Sequence, residues 1–492
     1  MNRLTWMSIG ALPLIVAAPA AFASDWLSFT NQTSSRIVAA PGLSTTDQEE
    51  KDYAWGDLDQ DGWIDLVAVR KTPFTTYGKR ANVFFHNENG VLVDRTAQFF
   101  SASDVAGDQG FLTPTNDRDV FVADVNNDGW LDVITSVTLS QPDPKAISHP
   151  RVYINLGENE QGAWLGVRYE EARIPELPMD PNFCGLGVGD VTGDGYVDMY
   201  MTDYNSNLED RLFINAGPAN PGFFSDQSNQ RVTNALWLQS SFGSSSTISD
   251  MNGDGWKDIV KSGNGPVRII YNGGSGFFTG SEQVYGGAAY FASTGDLNND
   301  GKLEIIVSDD NIDVFMRNTG NGADSFANFT NTNFPATTNG FGSQSITIDL
   351  DFDGNNDVVI ADVDVDAPGC TRVTDILRNN GVTPNVGFTS DPANIPNSAL
   401  TGVHHTAIFD LNNDGALDII LGKCAGMQVW MGTPPAPICA SDLNNDSIVD
   451  GADLGAMLLE WGHTNSPADL TGDNIVNGAD LGILLLAWGP CL

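Results

Sequence analysis

At 492 residues the chain is too long for one ordinary compact domain, which leaves a repeat array or several domains. Its 63 acidic against 23 basic residues give a formal charge of −40, a surface that repels nucleic acid and anionic membranes alike. The 52 glycines, among abundant Asn and Asp, point to many tight turns and an all-β chain.

Residues 1–23 read as an export signal: Arg3, an apolar stretch, then Ala21-Phe22-Ala23 ahead of Ser24. The stretch is short and broken by Pro13 and Pro19, which disfavours the alternative of a membrane anchor. No other segment is apolar enough to span a bilayer. The mature protein is therefore expected to be secreted, extracellular or at the cell surface, where disulfides persist. Cys439 and Cys491 bracket the last part of the chain as a clasp, Cys370 and Cys424 offer a second bridge, and Cys184 is left over, buried and inert.

The segment DLDQDGWID at residue 57 is the first of seven similar loops, the others starting at 124, 190, 250, 296, 349 and 410. Intervals of 46–67 residues signal a repeat architecture. Oxygen-bearing side chains fill the first, third, fifth and ninth places. These are Asp57, Asp59, Asp61 and Asp65; Asp124, Asn126, Asp128 and Asp132; Asp190, Thr192, Asp194 and Asp198; and Asp250, Asn252, Asp254 and Asp258. The last three loops supply Asp296, Asn298, Asp300 and Glu304; Asp349, Asp351, Asp353 and Asp357; and Asp410, Asn412, Asp414 and Asp418. The sixth place is always Gly, which permits a backbone reversal, and the seventh residue can offer its carbonyl. Six or seven oxygen donors without nitrogen or sulfur suit Ca²⁺ better than Mg²⁺. Thr192 and Glu304 are the weakest members of the set. The second place is always apolar (Leu58, Val125, Val191, Met251, Leu297, Leu350, Leu411), as for a side chain turned into the fold.

Short β-rich runs flank each loop. A third run ends in Asn and Gly, as in VYINLG (152–157) and LFINAG (212–217), although the seventh copy, VWMG (429–432), has lost the Asn. A fourth run often carries a Phe–polar–polar–Thr/Ser signature. Four strands in each of seven units predict a seven-bladed β-propeller over residues 24–432. The last unit stops after its third strand. The orphan segment Phe29–Thr33 has the fourth-strand signature and is expected to complete it, hiding an open sheet edge.

These units resemble the FG-GAP/VCBS repeats, the family that includes the integrin α-chain propeller and many exported bacterial proteins. The resemblance implies a propeller with Ca²⁺ in the loops between the first two strands of its blades, and ligand recognition on one face of the disc. Most of the Phe-Gly and Gly-Ala-Pro landmarks are missing, so no integrin-like ligand follows.

After a Pro-rich linker at 433–438, residues 439–492 hold a second duplication, DLNNDSIVDGADLGAMLLEWG (442–462) and DLTGDNIVNGADLGILLLAWG (469–489). The oxygen places are Asp442, Asn444, Asp446, Asp450 and Asp453, then Asp469, Thr471, Asp473, Asn477 and Asp480, with carbonyls from Ile448 and Ile475. This is a twelve-residue, EF-hand-like calcium loop ending in Asp. Leu454, Met457, Leu458 and Trp461, and their counterparts Leu481, Leu484, Leu485 and Trp488, predict two short helices packed around the Trp residues, a small all-α domain. The pair resembles a dockerin, which implies docking to a cohesin-like or other surface receptor. Ser447 and Asn474 stand where such loops usually carry Gly, and Gly451-Ala452 and Gly478-Ala479 offer almost no side chain for partner recognition.

No Ser/His/Asp elbow, HExxH or Cys-metal spacing appears. His404-His405 are expected to have a surface or packing role, and most of the Asp is assigned to calcium. The reading is a Ca²⁺-stabilised propeller that binds a glycan or protein ligand in adhesion and is attached through its tail. The alternative is a carbohydrate-active enzyme, a polysaccharide lyase or glycoside hydrolase.

Overall fold

The computed structural model describes residues 27–433 and 441–490, apart from 41–42, 44–45, 73–77, 140–142, 206, 240–242, 264, 310, 336–343, 362–369, 445–447, 465 and 472–473. The export signal, most of the Pro-rich linker, Asp446, Asp473, Cys439 and Cys491 lie outside the described residues.

The chain folds as an all-β propeller in which each unit is an antiparallel sheet. In the third unit the strands Phe183–Gly189, Asp198–Asp203, Arg211–Asn215 and Phe224–Asp226 pair in chain order. The acidic loop joins the first strand to the second. Second strands such as Asp132–Val137 are buried throughout, because both faces of each sheet meet a neighbouring sheet. This explains why they read as continuous apolar runs and do not alternate. The first two units gain a fifth short strand, Ile37–Val38 and Ala102–Ser103, running parallel to the outer one.

The closing strand lies where the sequence puts it. Phe29–Asn31 pairs antiparallel with Met427–Gly432, setting Phe29 opposite Gly432 and Asn31 opposite Trp430. The expectation of seven separate blades needs correction. Among the described residues, five sheets of four or five strands stand alone, while the fourth and fifth units merge into one seven-stranded sheet. Their shared strand, Phe278–Gly295, runs for 18 residues. Its first part pairs with Gly265–Asn272 and its last part with Glu304–Asp309. The cause is spacing: loops starting at 250 and 296 are the closest pair in the chain, leaving no residues for a connection between outer and inner strands.

Apolar clusters fill the space between successive units. One joins Val125, Ile134 and Val152 to Leu186, Met199 and Phe213; another closes the ring, joining Ala407, Ile420 and Val429 to Leu66, Ala68 and Phe85. Apolar packing is non-directional, so polar groups must set the register. The asparagine ending each third strand does this. Asn215 Nδ2 donates to the carbonyl of Val197 at 3.1 Å in its own unit and to that of Val125 at 2.8 Å in the preceding one. Asn87, Asn155, Asn272, Asn318 and Asn379 repeat the pattern, and Asn87 reaches Leu411 across the ring closure at 2.9 Å. Each Oδ1 accepts an amide from a following glycine, such as Gly217 at φ +57°. The Asn-Gly signature is therefore a blade-to-blade clasp. In the seventh unit Gly432 takes the Asn place, and a Cβ there would collide with the Leu417 carbonyl. A disulfide, Cys370–Cys424, links the sixth and seventh units.

The C-terminal unit has two nine-residue helices, Gly451–Leu459 and Gly478–Leu486, with Asp450 and Asn477 as N-caps in capping boxes with Asp453 and Asp480. Ile448–Val449 pairs with Gly489–Pro490. The core is Val449, Met457, Ala468, Val476 and Leu484. The expectation of packing around the Trp residues is wrong: Trp461 and Trp488 are 44% and 50% exposed, and Leu458 and Leu485 are exposed as well. Helices this short bury only the residues facing each other and the loop strands, so the end of each stripe stays outside.

Replacing Asn215 by Ala leaves the buried Val125 carbonyl and the half-buried Val197 carbonyl without their donor, which costs about 1–3 kcal/mol for the buried one when uncompensated. Urea unfolding followed by Trp fluorescence should show N215A destabilised by at least about 1 kcal/mol. An unchanged midpoint would refute the clasp.

Candidate functional site

In the first loop, Asp57 accepts the amides of Asp61 at 3.1 Å and Gly62 at 3.0 Å, while Asp61 accepts that of Trp63 at 2.9 Å. The second loop repeats this with Asp124 and Asp128. The backbone is left-handed at the sixth place (Gly62, φ +90°) and also at the fourth (Gln60, φ +59°). These two reversals turn the first, third and fifth side chains to one side. In the sixth loop a carboxylate oxygen from each of Asp349, Asp351 and Asp353 lies within 4.8 Å of the others.

The ninth residue also has a role inside the fold. Asp132 is fully buried; one oxygen accepts the Val125 amide at 2.9 Å and the other accepts the Asn155 amide at 2.7 Å. All seven loops share the arrangement, with Glu304 using its extra length and Gly432 standing in for the Asn in the last. Burial pushes these carboxyls up, Asp65 and Asp132 to about 8 and Asp198 to about 7. The second-place apolar residues are buried as expected.

The oxygen-only donors fit a hard divalent cation in composition and, in the sixth loop, in convergence of the first, third and fifth places. Some loops carry an organic cation of their own. His86 Nε2 lies 2.9 Å from Asp59, whose hydrogen bond pulls the imidazole up to about 9, and Lys302 and Arg378 pair with Asp300 and Asp351. The fourth place was overlooked in sequence. Gln60, Asn127, Asn299 and Asn413 each donate to the sixth-place carbonyl of the next loop, at 2.8–3.0 Å.

In the C-terminal loops the twelfth residues are fully buried. Asp453 accepts the amides of Leu443, Asn444 and Asp450, and Asp480 those of Thr471 and Asn477. Asn474 takes the left-handed backbone at φ +69° in place of Gly.

A second site was not foreseen. The inner strands converge on an axial pocket of about 360 Å³. The residue five places before each acidic loop points at this axis: Asp52, Asp119, Ser245, Phe291, Gln344 and His405 all line it. In most units a register shift directly precedes that residue, as between Asp117 and Asp119 or Val403 and His405. Such a bulge re-aims a side chain. Gly185 holds the same place in the third unit, where a Cβ would press on the Ser245 backbone.

The pocket is polarised. Asp52 hydrogen-bonds Asp119 and pairs with His405 Nε2. Burial pushes Asp52 up to about 6, and burial with the neighbouring Asp52 charge drives Asp119 well above the carboxylate range. Arg118 reaches over the Phe291 ring, 5.6 Å from its centroid. On the other side stand hydroxyls, Ser293 and Ser345 being 2.5 Å apart. His404, pushed down to about 3 by burial, lies 3.2 Å from Cys424 Sγ. That sulfur is in the disulfide, so Cys370, His404 and Cys424 are no metal site. The histidines are thus buried, His405 being a member of the pocket. Cys184 is buried near Thr138 and Asn182.

Among the described residues no helix is long and apolar enough to cross a membrane. Residues 57–135, 250–307 and 296–360 match the family model described as FG-GAP-like repeat. No curated protein matches the chain. Among solved structures it is similar to an Agrocybe aegerita lectin described as recognising non-reducing terminal N-acetylglucosamine. Identity is 15% and the TM-score 0.45, over 80% of this chain and 90% of that one. It is also similar to a Bacillus licheniformis rhamnogalacturonan lyase, with 12% identity and a TM-score of 0.39 over 82% and 75% of the two chains. The chain thus carries FG-GAP-like repeats in a β-propeller.

Proposed function

We propose that the protein is an exported, calcium-stabilised propeller that binds a glycan or protein ligand and is attached to a surface or complex through a dockerin-like tail. The seven-stranded sheet works as two blades, so that seven units surround one axis. Calcium occupies up to seven propeller loops and two loops of the C-terminal unit. The observation that carries this reading is the shared loop geometry, left-handed backbone at the fourth and sixth places of each loop, together with the three carboxylates of the sixth loop lying within 4.8 Å of one another. A chain this acidic gains stability when cations offset repulsion within such loops.

The tail reading rests on a duplicated apolar set outside the C-terminal core. Leu458, Leu459 and Trp461 are exposed, as are Leu485, Leu486 and Trp488. A cohesin-like receptor is the proposed partner. For the enzyme alternative, the candidate residues are Asp52 and Asp119. They hydrogen-bond directly, whereas a glycosidase pair stands about 5–9.5 Å apart. Binding is therefore the preferred reading.

Chelation with EDTA should lower the melting temperature by about 10 °C or more, reversed by calcium but not by magnesium at equal concentration. An unchanged melting curve would remove calcium from the account. For the tail, calorimetry of the full chain against a panel of cohesin modules should give calcium-dependent binding. The W461A/W488A double variant should weaken it at least about tenfold while keeping the propeller's melting transition. Binding indifferent to both tryptophans would count against docking through this surface.

A further inference from the structure

Resting on the binding-module reading, we propose that the axial pocket is the ligand site and that it takes a neutral, hydroxyl-rich ring, a single uncharged sugar residue of a glycan. Four observations lead there. The first is size: at about 360 Å³ the pocket falls at the small end of ligand cavities, which run from about 300 to 1,000 Å³. One or two sugar rings fill such a space, and a folded peptide does not.

The second is charge. Two of the pocket's ionisable side chains, Asp52 and Lys51, already have charged or polar partners. Asp52 has His405 and Asp119 as partners, and Lys51 is held by Asp47 and by the carbonyls of Glu49 and Lys423. An ionic ligand would have to break these pairs in a buried setting, which costs more than a neutral ligand's rearrangement. Acidic sugars are further disfavoured by the chain's charge of −40.

The third is hydrogen-bonding capacity. Gln344 Oε1 is buried at the pocket wall and accepts no hydrogen bond among the described residues. A buried acceptor of this kind calls for a donor, and a sugar hydroxyl supplies one. The hydroxyl-bearing Ser245, Ser293 and Ser345 stand in the same lining. A ring of hydroxyls, each both donor and acceptor, matches a wall that is carboxyl-rich on one side and amide- and hydroxyl-rich on the other.

The fourth is shape. Phe121 lines the pocket yet is 40% exposed, and Trp55 belongs to the same lining. These rings offer flat apolar faces against the C–H face of a sugar, while polar groups fix its edge. Neither residue belongs to an acidic loop, so their replacement leaves the loop ligands in place.

The test uses the full chain loaded with calcium. Saturation-transfer NMR and calorimetry are run with glucose, galactose, mannose and xylose, with glucuronate and galacturonate as charged counterparts, and with neutral polysaccharides. At least one neutral sugar should bind, more tightly than its uronate. Q344A and F121A should each weaken binding at least about fivefold without moving the melting temperature. A failure of one variant to fold leaves the other decisive, since they sit on different units. Absence of any neutral-sugar signal at tens of millimolar overturns the proposal, as does preference for the uronates. Neutral-polysaccharide binding that persists unchanged in both variants also overturns it. In that last case the binding-module reading stands with its site elsewhere, whereas failure of every glycan and protein ligand would end that reading too.

Discussion

The propeller depends on one buried carboxylate per unit. The ninth loop residue takes the amide of the loop's second residue on one oxygen and the amide at the end of the third strand on the other. It thereby ties the loop to the second and third strands of its sheet. The clasping asparagine beside it then hands the same order to the preceding unit. Removing either partner leaves buried polar groups unmade, which costs more than the bond itself is worth. This is why hydrophobic packing between sheets, permissive by nature, gives one alignment and not several.

Much of this was legible because it repeats. A lone Asp-Asn-Asp-Gly loop says little, but seven in register identify the turn, its strands and the ring. The Asn-Gly ending of the third strand was visible too, although its meaning was not, since it acts on a carbonyl far away in the chain, as Asn215 does on Val125, 90 positions earlier. The merged fourth and fifth units were hinted at by the short interval between their loops. The axial pocket was hidden for a different reason. Its residues occupy an equivalent place in each unit but differ in kind: Asp52, Asp119, Ser245, Phe291, Gln344 and His405. A search for likeness passes over positions whose purpose is to differ.

The same contrast holds in the C-terminal unit. The loops follow their pattern, with Asp453 and Asp480 gathering backbone amides around the twelfth place. The helix stripes misled, because periodicity shows which residues share a face and not how much of that face finds a neighbour. Nine-residue helices are too short to cover Trp461 and Trp488, so apolar periodicity there describes a surface as well as a core.

Gly432 leaves the seam between the sixth and seventh units without the asparagine found at the other junctions, and the Cys370–Cys424 bond crosses that same seam. A covalent rivet thus stands where the polar latch is missing. The ring's mechanical weak point is thereby placed under the control of the surrounding thiol–disulfide balance. In a reducing milieu the disc would be expected to part first at this junction, while the remaining joints stay latched.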